Sequence, residues 1–133
     1  MATKVKTIKK RQLVEVNSEV KFIPTSPHKL RLVAALVRNL PPKLAIRKLK
    51  FLDKRGGSIL AKALKSGIAN ATNNFNLDPE SLKLAKVLVN EGPRSKRQDR
   101  SHGARFNSGI IQKKRTHLLI TLSGLKRENG QEN

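Results

Sequence analysis

The stretch NEGPRSKRQDRSHGARFNSGIIQKKRTH, from Asn90 to His117, decides how this chain folds. Between Gly92 and Arg115 it carries Arg94, Lys96, Arg97, Arg100, Arg105, Lys113, Lys114 and Arg115, eight cations against the one acid Asp99. LKLAKVLVN (Leu82–Asn90) leads into it and HLLITLS (His117–Ser123) leads out. Both flanks are rich in branched and aliphatic residues that suit a pleated, half-buried surface. Inside the stretch only Phe106, Ile110 and Ile111 are large and apolar. The pattern predicts two paired strands prolonged into a basic arm, about residues 90–117, whose tip near Ser101–Asn107 leaves the body. An arm with so few apolar groups cannot hold itself ordered in water, so it needs a polyanion to lie on. A solvated basic loop without a partner is the bland alternative.

The whole chain shares this bias. Its 29 Lys+Arg against 9 Asp+Glu give a formal charge of +20 over 133 residues. Such a charge repels itself in the folded state and is normally neutralised by nucleic acid or an anionic surface. Nucleic acid is the expected partner. No segment approaches the roughly twenty apolar residues that span a bilayer, and the basic clusters lie in arms, not along one amphipathic helix. With four Phe and no Trp or Tyr, contacts to phosphate, sugar and helical shape are favoured over base stacking on aromatic platforms. The absence of cysteine excludes disulfides and thiolate metal sites and fits a reducing compartment. MATKVKTIKKRQ at the N-terminus has no apolar run of the kind a secretory signal needs, so a cytosolic, bacterial product is expected.

Taken in order, residues 1–18 read as a basic, flexible extension, with Glu19–Ile23 as a short strand ended by Pro24. Ser26-Pro27 predicts a helix start capped by the Ser hydroxyl, followed by Leu30, Val33, Ala34, Val37 and Leu40 at helical spacing. Pro41-Pro42 stops that helix and opens a short amphipathic one through Leu44, Ala45, Leu49 and Leu52. Asp53–Gly57 reads as a turn and Ser58 as the cap of a third helix. Its face of Leu60, Ala63, Leu64, Gly67, Ile68 and Ala71 is small enough for another backbone to approach. In the strand before the arm, Leu82 and Leu84 have one parity and Val87 and Val89 the other. A bulge or two-sided burial near Ala85–Lys86 is expected there. The prediction is an α+β domain over residues 19–124, three helices packed on a small antiparallel sheet with a long basic β-hairpin extension, and a polar tail at 125–133.

No catalytic constellation, metal site or cofactor site is expected. His28, His102 and His117 are isolated and lack partners at metal-ligand spacing. Gly56-Gly57-Ser58 lacks the Lys and the preceding strand of a phosphate-binding loop. Asp78 and Glu80 fit a solvated turn better than an acid/base pair.

Several separated motifs resemble one family. SPHKLRLVAALVR (Ser26–Arg38), KALKSGIANATNN (Lys62–Asn74), LKLAKVLVNEGPRSKR (Leu82–Arg97) and KKRTHLLITL (Lys113–Leu122) are similar, in order, to the bacterial large-subunit ribosomal protein L-twenty-two. The resemblance implies a structural constituent of the large ribosomal subunit. It would bind large-subunit ribosomal RNA, support subunit assembly and line the peptide exit tunnel with its hairpin. Implied RNA-binding residues are His28, Lys29 and Arg31 at the first helix, Arg94, Lys96, Arg97, Arg100 and Arg105 on the outgoing arm, and Lys113, Lys114, Arg115 and His117 on the return. The implied tunnel-facing tip is Arg100, Ser101, His102, Gly103, Ala104, Arg105 and Phe106. Ribosomal RNA, neighbouring large-subunit proteins and the nascent polypeptide are the implied partners, with no obligate homo-oligomer. Phe106 is bulkier, and Asn107–Ile111 less basic, than the family's usual tip and return. A DNA architectural protein with basic β-arms is the runner-up, although such proteins insert an apolar wedge at the tip, and Pro93 lies at the base. A small RNA-modifying enzyme would need a nucleophile, metal or cofactor site.

Overall fold

A computed structural model describes residues 13–101 and 108–127. Strand β1 (Leu13–Ile23) is followed by helices α1 (Pro27–Val37), α2 (Pro42–Lys50) and α3 (Arg55–Asn73), then by strands β2 (Lys83–Asp99) and β3 (Gly109–Leu125). The sheet order is β1-β3-β2, antiparallel at both junctions. The last strand therefore lies in the middle. Leu118, Ile120 and Leu122 of β3 are fully buried and meet Leu30, Val33 and Val37 of α1, Leu49 of α2 and Leu60 and Leu64 of α3. The helices cover one face of the sheet, and Glu15, Asn17, Glu19 and Leu88 remain exposed on the other. This is the expected α+β architecture.

The parity change in β2 is a bulge. Leu84 pairs with Leu122 and Lys86 with Thr121, so Ala85 is the extra residue, and Leu84, Val87 and Val89 all reach the core. A bulge inserts one residue without breaking the strand, which is how both parities are buried on one face.

Three boundaries differ from the sequence reading. β1 begins at Leu13, with Leu13 opposite Leu125 and Val16 opposite Leu122, so residues 13–18 belong to the sheet and not to a basic extension. At the other end Lys126 bridges to Leu77, and the Arg127 N–H donates to the Asn76 carbonyl at 2.9 Å, so residues 125–127 are tied to the body. The third difference is the start of α3. Gly56 and Gly57, expected in a turn, are buried in its first turn. Side chains are excluded there: a Cβ on Gly56 would lie 3.2 Å from Val33 Cγ2, and one on Gly57 3.0 Å from the Leu49 carbonyl oxygen. Ser58 is consequently inside the helix, its Oγ donating to the Arg55 carbonyl at 3.0 Å. Ser26 occupies the N-cap of α1 with Pro27 in the first turn, as expected, but its hydroxyl makes no capping bond.

Gly57→Ala tests the tight α2–α3 contact. Alanine favours helix by up to about 1 kcal/mol, yet the methyl would press on a backbone oxygen that cannot swing away, at a cost of about 1–3 kcal/mol. The expected net effect is destabilisation, read as a lower urea midpoint at unchanged slope. A raised midpoint would show that the helices separate without strain.

Candidate nucleic-acid interface

Beyond the body, β2 and β3 continue as a two-stranded ribbon, with rungs running from Arg94 opposite Lys114 to Asp99 opposite Gly109. From Glu91 to Asp99 the strand advances about 27 Å. The ribbon leaves the body where irregularities in both strand junctions meet. The β1–β3 register shifts between Val20 and Ile23, and the β2–β3 register shifts between Glu91 and Arg94. Phe22 sits in the first of these with φ 57. Gly92 sits in the second, where a Cβ would lie 3.1 Å from the Arg115 carbonyl carbon and oxygen.

His117 fills this junction. Its Nδ1 accepts the Phe22 N–H at 3.2 Å, which places the ring proton on Nε2, and its ring meets the Phe22 ring edge-on with centroids 4.9 Å apart. Nε2 lies 3.2 Å from the position a Gly92 Cβ would take. The Thr116 hydroxyl donates to the Thr25 carbonyl at 2.5 Å, and Arg115 Nη1 reaches the Phe22 carbonyl at 3.4 Å. His117, a residue expected to bind RNA, thus also ties β1 to β3 at the root of the arm.

Residues opposite one another on a ribbon share a face. One face of the arm carries Arg94, Lys96 and Lys114 with Gln98, Gln112 and Ile110; the other carries Arg97 and Lys113 with Ser95 and Ile111, and Arg115 at its root. All six of these cations are exposed, and so is Arg100. Ile110 is 66 % exposed, so the ribbon has no core of its own. Arg94 is the least available cation, because it pairs with Glu91 at 2.5 Å and reaches Gln112 Oε1 at 3.4 Å. The hydrogen bond and charge of Arg94, with Arg31 and Lys114 adding, hold the Glu91 carboxyl below the usual range. Glu91 therefore stays ionised at neutral pH. At the far end the Ser101 N–H donates to Asp99 Oδ1 at 3.0 Å. Of the expected tip, Arg100 and Ser101 are exposed, whereas His102, Gly103, Ala104, Arg105 and Phe106 lie outside the described residues.

The first turn of α1 exposes His28 and Lys29. Arg31 Nε donates to the Val89 carbonyl at 3.3 Å, joining α1 to β2 just before the arm. Lys29 lines a cleft of about 480 Å³ with Leu32, Lys54, Arg55 and the Pro24–Ser26 link. That link also lines a cleft of about 470 Å³ beside Gln112–Arg115. It is therefore flanked by basic residues of the helices on one side and of the arm on the other. The sequence reading passed over Arg47, Lys48, Lys50, Lys54 and Arg55, all exposed around the α2–α3 corner. The run RKLKFLDKR was the available signal, hidden by the reading of residues 53–57 as a turn.

Among the described residues no His, Asp or Glu cluster could hold a metal ion, and no helix is long and apolar enough to cross a membrane. Fold and surface together define a class: a small, strongly basic α+β protein that projects a charged two-stranded arm. The family described as Ribosomal protein L22p/L17e matches residues 18–123. The chain is 42% identical over 111 residues to the large ribosomal subunit protein uL22 of Petrotoga mobilis, covering 83% of this chain and 72% of that one. It is 39% identical to the protein of the same name from Caldicellulosiruptor saccharolyticus, over 82% of this chain and 93% of that one. The corresponding figures for the Fusobacterium nucleatum protein are 38%, 83% and 97%. The chain belongs to this ribosomal protein family, a family of structural and not catalytic components.

Proposed function

We propose that the chain is a structural constituent of the large ribosomal subunit in the bacterial cytoplasm, where its arm binds large-subunit ribosomal RNA and its tip lines the peptide exit tunnel. The observation that carries this reading is the arm: cations on both faces of a ribbon without a core. A ribbon that merely lay on a surface would need charge on one face only. Charge on both suits an arm enclosed by phosphate backbones, with binding that weakens steeply with salt. Neighbouring large-subunit proteins and the nascent polypeptide are the further partners of this reading, and support of subunit assembly follows from joining RNA segments around one arm.

Sedimentation of a tagged copy from bacterial lysate tests it. Retention in large-subunit fractions through salt washes, and release by RNase, is the expected result. Co-sedimentation with nucleoid DNA that survives RNase and is lost with DNase would overturn the ribosomal reading in favour of an architectural DNA-binding one.

A further inference from the structure

The corner between α2 and α3 holds a feature that the arm does not explain. Phe51 is 90 % exposed. The corner forces it outward: Leu49 is buried, Leu52 packs against the core, and the Leu52 and Lys54 N–H groups donate to the Leu49 and Leu52 carbonyls. One exposed apolar residue is ordinary on a protein surface, and Lys48 and Lys50 suit the negative end of α2. Lys54 and Arg55 have no such explanation. They stand at the start of α3, where the helix field disfavours cations, with no acid in its first turn and no side-chain cap; the nearest acid in sequence, Asp53, is exposed just before them. With Lys29 they converge on the cleft described above, whose wall includes Leu32, 71 % exposed, and Thr25, whose buried Oγ1 has no hydrogen-bond partner among the described residues.

We propose that this corner is a second RNA contact, which takes an unpaired nucleotide with its base against the Phe51 ring and its flanking phosphates at Lys54 and Arg55. The inference rests on the ribosomal reading and deepens it. A flat ring offers every base a π-face, and neighbouring cations hold the backbone that carries it. A base inside an A-form duplex presents no face to such a ring, so the occupant is a loop, bulge or single-stranded segment.

The chain has no Trp, which makes Phe51→Trp a unique fluorescent reporter at an exposed position. The full chain is titrated with a transcript of bacterial large-subunit ribosomal RNA in the presence of transfer RNA as competitor. Phe51→Trp should keep wild-type affinity and be quenched on binding. Phe51→Leu and Phe51→Ala should both bind about tenfold more weakly, the loss of one stacked base. Lys54→Gln combined with Arg55→Gln should reduce the log–log salt slope by about 1.5. If Phe51→Leu binds like wild type and the Trp variant is not quenched, the ring faces a protein neighbour or solvent and the inference fails alone. If the wild-type chain does not prefer ribosomal RNA to transfer RNA, the ribosomal reading falls and this inference falls with it.

Discussion

Replacing Arg94, Lys96 and Arg97 together by glutamine should weaken binding to large-subunit ribosomal RNA about a hundredfold at 0.15 M salt. The estimate follows from counterion release: at that concentration each neutralised phosphate contributes a factor of about four to five, and the log–log salt slope should fall by about two to three. Arg94 contributes least, since Glu91 already engages it. Lys96 and Arg97 lie on opposite faces of the ribbon, which makes the single variants diagnostic. Comparable losses for both would mean RNA on both sides of the arm. A loss confined to one would mean an arm lying on a single RNA surface. The body should melt at its wild-type temperature in every case, because no arm side chain enters the core. Unchanged affinity at moderate salt would remove the arm as the main contact.

Leu118→Ala should have the largest effect on stability. Leu118 is fully buried on the middle strand, opposite Val20 on one side and Val89 on the other. Truncating a leucine in such a place costs about 2–5 kcal/mol, a large part of the 5–15 kcal/mol typical of small domains. For a body of this size the melting temperature should drop by about 10–20 °C. A ligand that binds only the folded state restores stability by mass action, about 2.7 kcal/mol at a hundredfold excess over Kd. Saturating ribosomal RNA should therefore recover much of the loss. A drop of only a few degrees would show that the helices and the sheet collapse into the space left behind.

What could be read from the sequence was local. The Ser26-Pro27 start, the periodicity of α1, the hairpin around the basic run and the parity change at Ala85 are written within a few residues of where they act. The misread features depend on distant partners. Leu13–Ser18 is strand because β3 lies beside it, with Leu125 opposite Leu13. Gly56 and Gly57 look like turn residues, but they are glycine because Val33 and the Leu49 carbonyl, packed against the first turn of α3, leave no room for a side chain. The contact between His117 and Phe22, 95 residues apart, likewise could not be read locally, whatever else His117 touches. The charge of the arm was legible throughout; its division between two faces required the register.

The order β1-β3-β2 also imposes a timetable. The first strand has no edge to join until the last has been made, since Leu13 waits for Leu125. At about 5–20 residues per second, that wait lasts about 5–20 seconds of synthesis. During it the helices can form and collapse, but Val16 and Val20 have no sheet to enter. Long-range closure of this kind is slow relative to local structure. The middle strand is then the clasp that completes the body and the arm in one event, so the newborn chain cannot present a finished arm before its own core has closed.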